Sequence, residues 1–236
     1  VSFLTRRGRE IESEALVLRS KTFGENDLWV DFLTPGLGRL HGMARHGRKS
    51  HKRFGTVLES MNWVKLRGRD AGDLVSLEEA SLVRPWLRLD THLPLLTAAF
   101  HAVELVRQLV PERSPDARVF GLLAECLEAL DRTDPAEAMT PIARFEYRLL
   151  DASGFAPSLK GCLSCGRPRV PREKDEAFFF VYREGGIYCA RCLPPGTPFE
   201  ALSKAGWPKI LAQFVDYQIG HPLKTRKFLS DRAFCG

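Results

Sequence analysis

The sequence has no apolar run long enough to cross a bilayer. Its longest apolar stretch, LPLLTAAFHAVELV (93–106), contains His101 and Glu104 and falls short of the ~20 residues that a spanning helix needs. A secretory leader is not expected, because Glu10, Glu12 and Glu14 follow Arg6 and Arg7 where a leader requires an apolar core. Familiar catalytic signatures are missing too. No histidine is followed by x-Glu, no H-E-x-x-H occurs, and neither G-x-G-x-x-G nor a phosphate-binding G-K-[ST] loop is present. PGLGRLHG (35–42) has the glycines without that lysine and reads as a hairpin turn. Internal repeats and low-complexity segments are absent. The cysteines exclude a secreted disulfide framework, since four of the six form two C-x-x-C pairs while Cys126 and Cys235 stand alone. These absences lead to the expectation of a soluble, cytoplasmic protein that is not an enzyme.

One further absence is local. In GRLHGMARHGRKSHKRFG (38–55) there is no Asp or Glu, and none follows before Glu59, yet Arg39, Arg45, Arg48, Lys49, Lys52 and Arg53 are packed together with three histidines. A merely solvated loop usually mixes charge signs for solubility. The net charge of +6 and pI of about 9.1 point the same way, towards acidic partners, nucleic acid foremost.

What is present has three textures, in a chain of 236 residues whose 44% hydrophobic and 27% charged content is that of an ordinary globular protein. From 11 to 83 the pattern is β. ALVLRS (15–20), LWVDFLT (28–34), LHGMA (40–44), TVLESMNWVKLR (56–67) and LVSLEEASLV (74–83) are short extended runs, separated by the turn signals FGEND, PGLGR and GRDAGD. Five such strands in so short a span predict a small closed barrel of the OB type, assigned to residues 1–83. Such barrels bind single strands across one face, with loop cations and strand aromatics. The aromatics available are Phe23, Trp29, Phe32, Phe54 and Trp63, most of them expected in the core.

After Arg84-Pro85 the period becomes helical. Leu96, Ala99, Phe100, Val103, Val106 and Val110 form one stripe, and Val119, Leu122, Leu123, Cys126, Leu127 and Leu130 a second. Ile142, Phe145, Leu149 and Leu150 form a third, started by Thr140-Pro141 as N-cap and first-turn proline. A helix near 203–219 would complete a bundle spanning 84–159 and 197–236. The fold class is therefore α+β: a barrel, then a helical domain, with an insertion at 160–196 that breaks both patterns.

That insertion carries the chemistry of a metal site. Cys162-Leu163-Ser164-Cys165 and Cys189-Ala190-Arg191-Cys192 are separated by 23 residues, and FFFVY-REGG-IYC (178–189) forms a hairpin that returns the second pair to the first. A redox C-x-x-C or a pair of disulfides would not explain why two such pairs flank a hairpin. The pattern points to one structural zinc per chain, held by four thiolates that leave no open coordination position. Lys160, Arg167, Arg169 and Arg191 stand nearby to offset the negative charge of a tetrathiolate. A second basic cluster, Lys224, Arg226 and Lys227 in PLKTRKFL (222–229), is either a separate contact or a helix surface.

The arrangement resembles the bacterial recombination mediator family RecO. The resemblance rests on Gly24-Glu25-Asn26-Asp27, on Thr34 to Gly38, on Ala44 to Arg48 and on Ser50 to Gly55. ARFEYRLLDASGFAPSLKGCLSCG (143–166) resembles the family's helix leading into its zinc segment, and HPLKTRKFL (221–229) its C-terminal element, with Thr225 in place of serine. One departure is Arg45-His46-Gly47, where the family usually has lysine or arginine beside the glycine. The resemblance implies an OB-fold followed by a helical domain with a zinc-binding insertion. It also implies binding of single- and double-stranded DNA, annealing of complementary strands, and loading of RecA onto strands coated by single-strand-binding protein, jointly with RecR. Carried over by residue, it assigns Arg39, Arg45, Arg48, Lys49, Lys52 and Arg53 to DNA and Cys162, Cys165, Cys189 and Cys192 to zinc. The acidic, aromatic-ended tail of single-strand-binding protein would need an apolar pocket rimmed by cations. Nucleoid association and a monomeric state alone complete the expectation. The rival reading is an RNA-binding zinc-ribbon and OB module of the translation or transcription machinery, which the long helical segment between barrel and cysteines fits poorly.

Overall fold

The computed structural model describes residues 8–50, 53–54, 56–169, 177–203 and 206–229. The chain packs as two compact units, Val1–Pro141 and Ile142–Gly236.

The first unit opens with five strands: β1 (Arg9–Phe23), β2 (Asp27–Thr34), β3 (Gly38–Ala44), β4 (Trp63–Asp70) and β5 (Val75–Arg84). They close a barrel in the order β1-β2-β3-β5-β4. Closure depends on the length of β1. Its first half, Arg9–Leu16, pairs with β4 and its second half, Leu16–Phe23, with β2, with a register shift between Val17 and Arg19. A short parallel pairing of Gly42–Ala44 with Val75–Leu77 joins β3 to β5, so no strand edge is left open there. This is OB topology, as the turn-separated strand runs predict. Alternation sends Val17, Val30, Phe32, Leu40, Val64 and Leu66 into one buried cluster.

Residues 56–61 differ from expectation. TVLESM is rich in strand formers but folds as a succession of turns, and β4 starts only at Trp63. Phe54 and Leu58, 2% and 3% exposed, belong to the barrel cluster. These residues therefore plug the barrel, and burying two large apolar side chains outweighs weak strand propensity in a run that does not alternate. The β2–β3 turn shows a close approach. Gly38 has φ +74°, and a Cβ there would lie 2.4 Å from the Ser114 carbonyl oxygen, so only glycine fits.

Helices α1 (Leu93–Leu109) and α2 (Ala117–Arg132) complete this unit, packing on each other and on β1 and β2 respectively. Asp131 of α2 accepts backbone N–H bonds from Leu87, Arg88 and Leu89 and so ties down the segment that enters α1.

In the second unit, α3 (Met139–Ala152) includes Thr140 and Pro141 in its first turn rather than starting after them. A four-stranded sheet follows: β6 (Ser158–Cys162), β7 (Phe178–Val181), β8 (Gly186–Cys189) and β9 (Glu200–Ala201), ordered β6-β8-β7-β9. Strands β7 and β8 form the anticipated hairpin. Helix α4 (Trp207–Ile219) packs its Phe214 ring edge-on against Phe180 of β7, 5.3 Å between centroids. A single helical turn, α5 (Arg226–Leu229), ends the described chain. Among the described residues no helix is long and apolar enough to cross a membrane.

Candidate nucleic-acid interface and metal centre

The cation-rich loop runs from the end of β3 into the barrel plug. Tight turns shape it: Gly47 donates to the Ala44 carbonyl, Ser50 to that of His46, and Phe54 to that of Ser50. The β1–β2 turn clasps it from outside. Asp27 Oδ1 accepts the His46 backbone N–H at 2.7 Å, the Asn26 carbonyl accepts that of Arg48, and the Glu25 carbonyl accepts Arg48 Nη1 at 2.9 Å. Two of the segments that carry the family resemblance, Gly24–Asp27 and Ala44–Arg48, are thus bonded to each other. Neither the clasp nor its partners could be read from sequence, because nothing local marks the pairing of residues 19 positions apart.

The six cations named from sequence fall into different environments. Arg45, Arg48 and Lys49 are exposed along the loop. Arg53 is half-buried; its guanidinium donates to Ser50 Oγ and the Arg45 carbonyl and lies 5.1 Å from the Phe54 ring centroid. Arg53 therefore braces the loop as well as adding charge to it. Arg39 sits apart, 13% exposed, with Nε donating to the Val110 carbonyl at the end of α1 and Nη2 3.4 Å from Glu112. Lys52 lies outside the described residues. The loop gathers three exposed guanidinium and ammonium groups on a backbone fixed at both ends. Such a surface can contact several phosphates with little ordering cost.

Beside Arg39, a polar network on the outer face of β2 and β3 was not anticipated. Asp31, 5% exposed, accepts from Trp29 Nε1 at 3.0 Å and lies 2.6 Å from His41 Nδ1. His41 Nε2 is 2.8 Å from Glu112, and Arg107 Nε is 3.5 Å from Asp31. The hydrogen bond from His41 holds the Glu112 carboxyl below its ordinary range against the opposing effect of partial burial. Burial, and after it the charge of Arg19, lower the pKa of Arg107, while Asp31 opposes them. The sequence signal was available, as an aspartate inside the apolar run LWVDFLT.

In the second unit, the sulfurs of Cys162, Cys165, Cys189 and Cys192 lie within 4.8 Å of one another. The Cys165 and Cys189 sulfurs are 3.9 Å apart, close to the ~3.8 Å edge of a tetrahedron with ~2.3 Å metal–sulfur bonds. Each knuckle is wound by backbone bonds, Gly166 N–H to the Cys162 carbonyl and Cys192 N–H to the Cys189 carbonyl. Gly166, at φ +70°, supplies the left-handed turn that closes the first. Burial works against ionising Cys162, but backbone N–H bonds from Cys165, Cys189 and Ser164 outweigh it and hold the thiol down to about 6. Thiol hydrogen bonds with Cys165 and Cys189 push Cys192 up to about 12. A donor set of four sulfurs at this spacing fits a thiophilic ion in a closed site. The second basic cluster is not a uniform charged surface. Arg226, 18% exposed, donates through Nε and Nη2 to Asp216 Oδ1, and its Nη1 lies 3.9 Å from the buried Glu146. A cavity of ≈ 200 Å³ in this unit is lined by Leu159, Arg169, Leu202, Ser203 and Trp207.

Barrel topology, a clasped cationic loop and a four-sulfur centre define an OB-fold protein with an appended metal-binding unit. Comparison with known families narrows this. Residues 9–86 match the model described as Recombination protein O N terminal, and 91–207 that described as Recombination protein O C terminal. The chain is 35% identical over 250 residues to the DNA repair protein RecO of Anaeromyxobacter dehalogenans (strain 2CP-C), covering 94% of this chain and 96% of the relative. It is 31% identical to that of Anaeromyxobacter sp. (strain Fw109-5), covering 92% and 94%, and 30% identical to that of Syntrophus aciditrophicus (strain SB), covering 92% and 80%. The chain belongs to the RecO family of DNA repair proteins.

Proposed function

We propose that the protein is a DNA-binding recombination mediator: it binds single- and double-stranded DNA, anneals complementary strands and, with RecR, loads RecA onto strands coated by single-strand-binding protein. The observation that carries this reading is the exposed cationic loop, pinned to an OB barrel by the Asp27–His46 clasp. The mechanism is electrostatic. Arg45, Arg48 and Lys49, with Lys52, offset phosphate repulsion so that two strands are held together without covalent chemistry. The cavity lined by Leu159, Trp207 and Arg169 has the apolar and cationic character suited to the acidic, aromatic-ended tail of single-strand-binding protein.

The ion in the four-cysteine site is zinc on this reading, and bound there it supplies a structural cross-link. Four sulfur ligands complete its tetrahedron, which agrees with a protein that is not an enzyme. Action on chromosomal DNA places the protein in the cytoplasm, at the nucleoid.

Replacing Arg45, Arg48, Lys49 and Lys52 together by alanine tests the reading. Four phosphate contacts correspond to a slope of about −3 in log affinity against log salt for a single strand. The variant is expected to lose most of that slope while keeping its fold. Unchanged affinity and slope would remove the loop from the interface, and strong preference for RNA over matched DNA would favour the translation or transcription module.

A further inference from the structure

We propose that the open half of the outer β1–β2–β3 face is a base-stacking platform for single-stranded DNA, with Phe23 and Trp29 as its stacking rings. The proposal rests on the DNA-binding reading above and adds to it a site for bases rather than phosphates.

The two halves of this face are built differently. At one end Leu16 and Leu33, opposite each other in register, are 0% and 1% exposed where α1 and α2 pack on β1 and β2. Beyond Asp31 and Arg107 the cover ends. Phe23 is 55% exposed there, while Trp29 and Met43 are half-buried. Three rings cross three neighbouring strands in a row: Phe23 to Trp29 at 6.4 Å and 44°, and Trp29 to His41 at 5.5 Å and 39°. A phenylalanine exposed this far contributes little to folding, and π faces side by side at an open OB face are what unstacked bases require.

The row is also held in place. Trp29 Nε1 donates to Asp31 Oδ1, and the same oxygen contacts His41 Nδ1. A carboxylate as buried as Asp31 is costly unless paired, and here its partners are the indole, the imidazole and Arg107. Locking the Trp29 indole before a ligand arrives removes ordering cost from binding. The charge of the surroundings suits a polyanion. Lys21, which faces Trp29 in register, and Arg45, which follows β3, are exposed at the rim, whereas Asp31 and Glu112 are engaged by His41, Arg39 and Arg107. The bases of a duplex are already stacked on one another, so the platform selects single strands.

The test compares the full-length protein and its F23A, F23Y and F23L variants on oligo(dT), on an abasic strand of equal length, and on duplex, at several salt concentrations. F23A is expected to weaken oligo(dT) binding about tenfold with an unchanged salt slope. Its affinity for the abasic strand and the duplex should stay as in the parent; F23Y should restore oligo(dT) binding and F23L should not. If F23A leaves every nucleic-acid affinity unaltered, or weakens abasic and normal strands equally, the platform is wrong and this face belongs to a protein partner. If the unmodified protein binds normal and abasic strands equally well, stacking fails while the cationic loop stands. If it binds none of the three, the DNA-binding reading itself fails.

Discussion

GRLHGMARHGRKSHKRFG and HPLKTRKFL are both basic and glycine- or proline-punctuated, yet the two units that contain them use cations differently. In the first unit a large apolar barrel cluster supports the fold, so the loop can leave Arg45, Arg48 and Lys49 at the surface. In the second unit the sheet has strands of only two to five residues, and Arg226 is drawn inside onto Asp216 and Glu146. A basic run thus marks an interface where the core is sufficient without it, and a structural tie where the core is small.

Removing the metal should separate the units most sharply. Chelation, or Cys165→Ser, is expected to strip hydrogen-exchange protection from the second unit while β1–β5 keep theirs, since a structural zinc contributes on the order of 10 kcal/mol. Equal loss in both units would break the contrast. Next in size is Arg226→Ala. It leaves Glu146, 2% exposed, beside a vacated partner and should cost about 3 kcal/mol in urea unfolding. Arg45→Ala, at an exposed position, should stay within about 0.5 kcal/mol. Similar costs for the two would mean that the clusters are equivalent after all.

The smallest effect concerns pH. The Arg113 guanidinium, bonded to Asp70 at 2.9 and 3.0 Å, holds its carboxyl below the ordinary range, with partial burial opposing. A depressed carboxylate pKa stabilises the fold fully above its unfolded value, near pH 4, and that contribution disappears as pH falls through the folded value. Asp70→Asn should therefore reduce stability slightly at neutral pH and flatten the acid limb of unfolding below about pH 4. An unchanged acid limb would show that this ion pair, which joins β4 to the α1–α2 connection, adds nothing to the first unit.

Much of the fold was legible because its signals are local. Strand runs punctuated by FGEND and PGLGR became β1, β2 and β3, the stripes at 96–110 and 119–130 became α1 and α2, and FFFVY-REGG-IYC became the β7–β8 hairpin. The failures are also physical. TVLESM reads as a strand by composition, but the barrel needed a plug and took Phe54 and Leu58. Arg39 reads as one more cation of the loop, but it is bonded to Val110, 71 residues away.

Periodicity and spacing, which act over a few residues, sufficed for the kinds of element, the paired cysteine knuckles and the place of the basic loop. Which cations remain at the surface, why Asp31 is buried and which rings face outward were settled only when distant segments met. Burial and hydrogen-bond partnership are properties of neighbours in space, and the clasp from Asp27 to His46, the tie from Arg39 to Val110 and the row from Phe23 to His41 all join residues that the chain keeps apart.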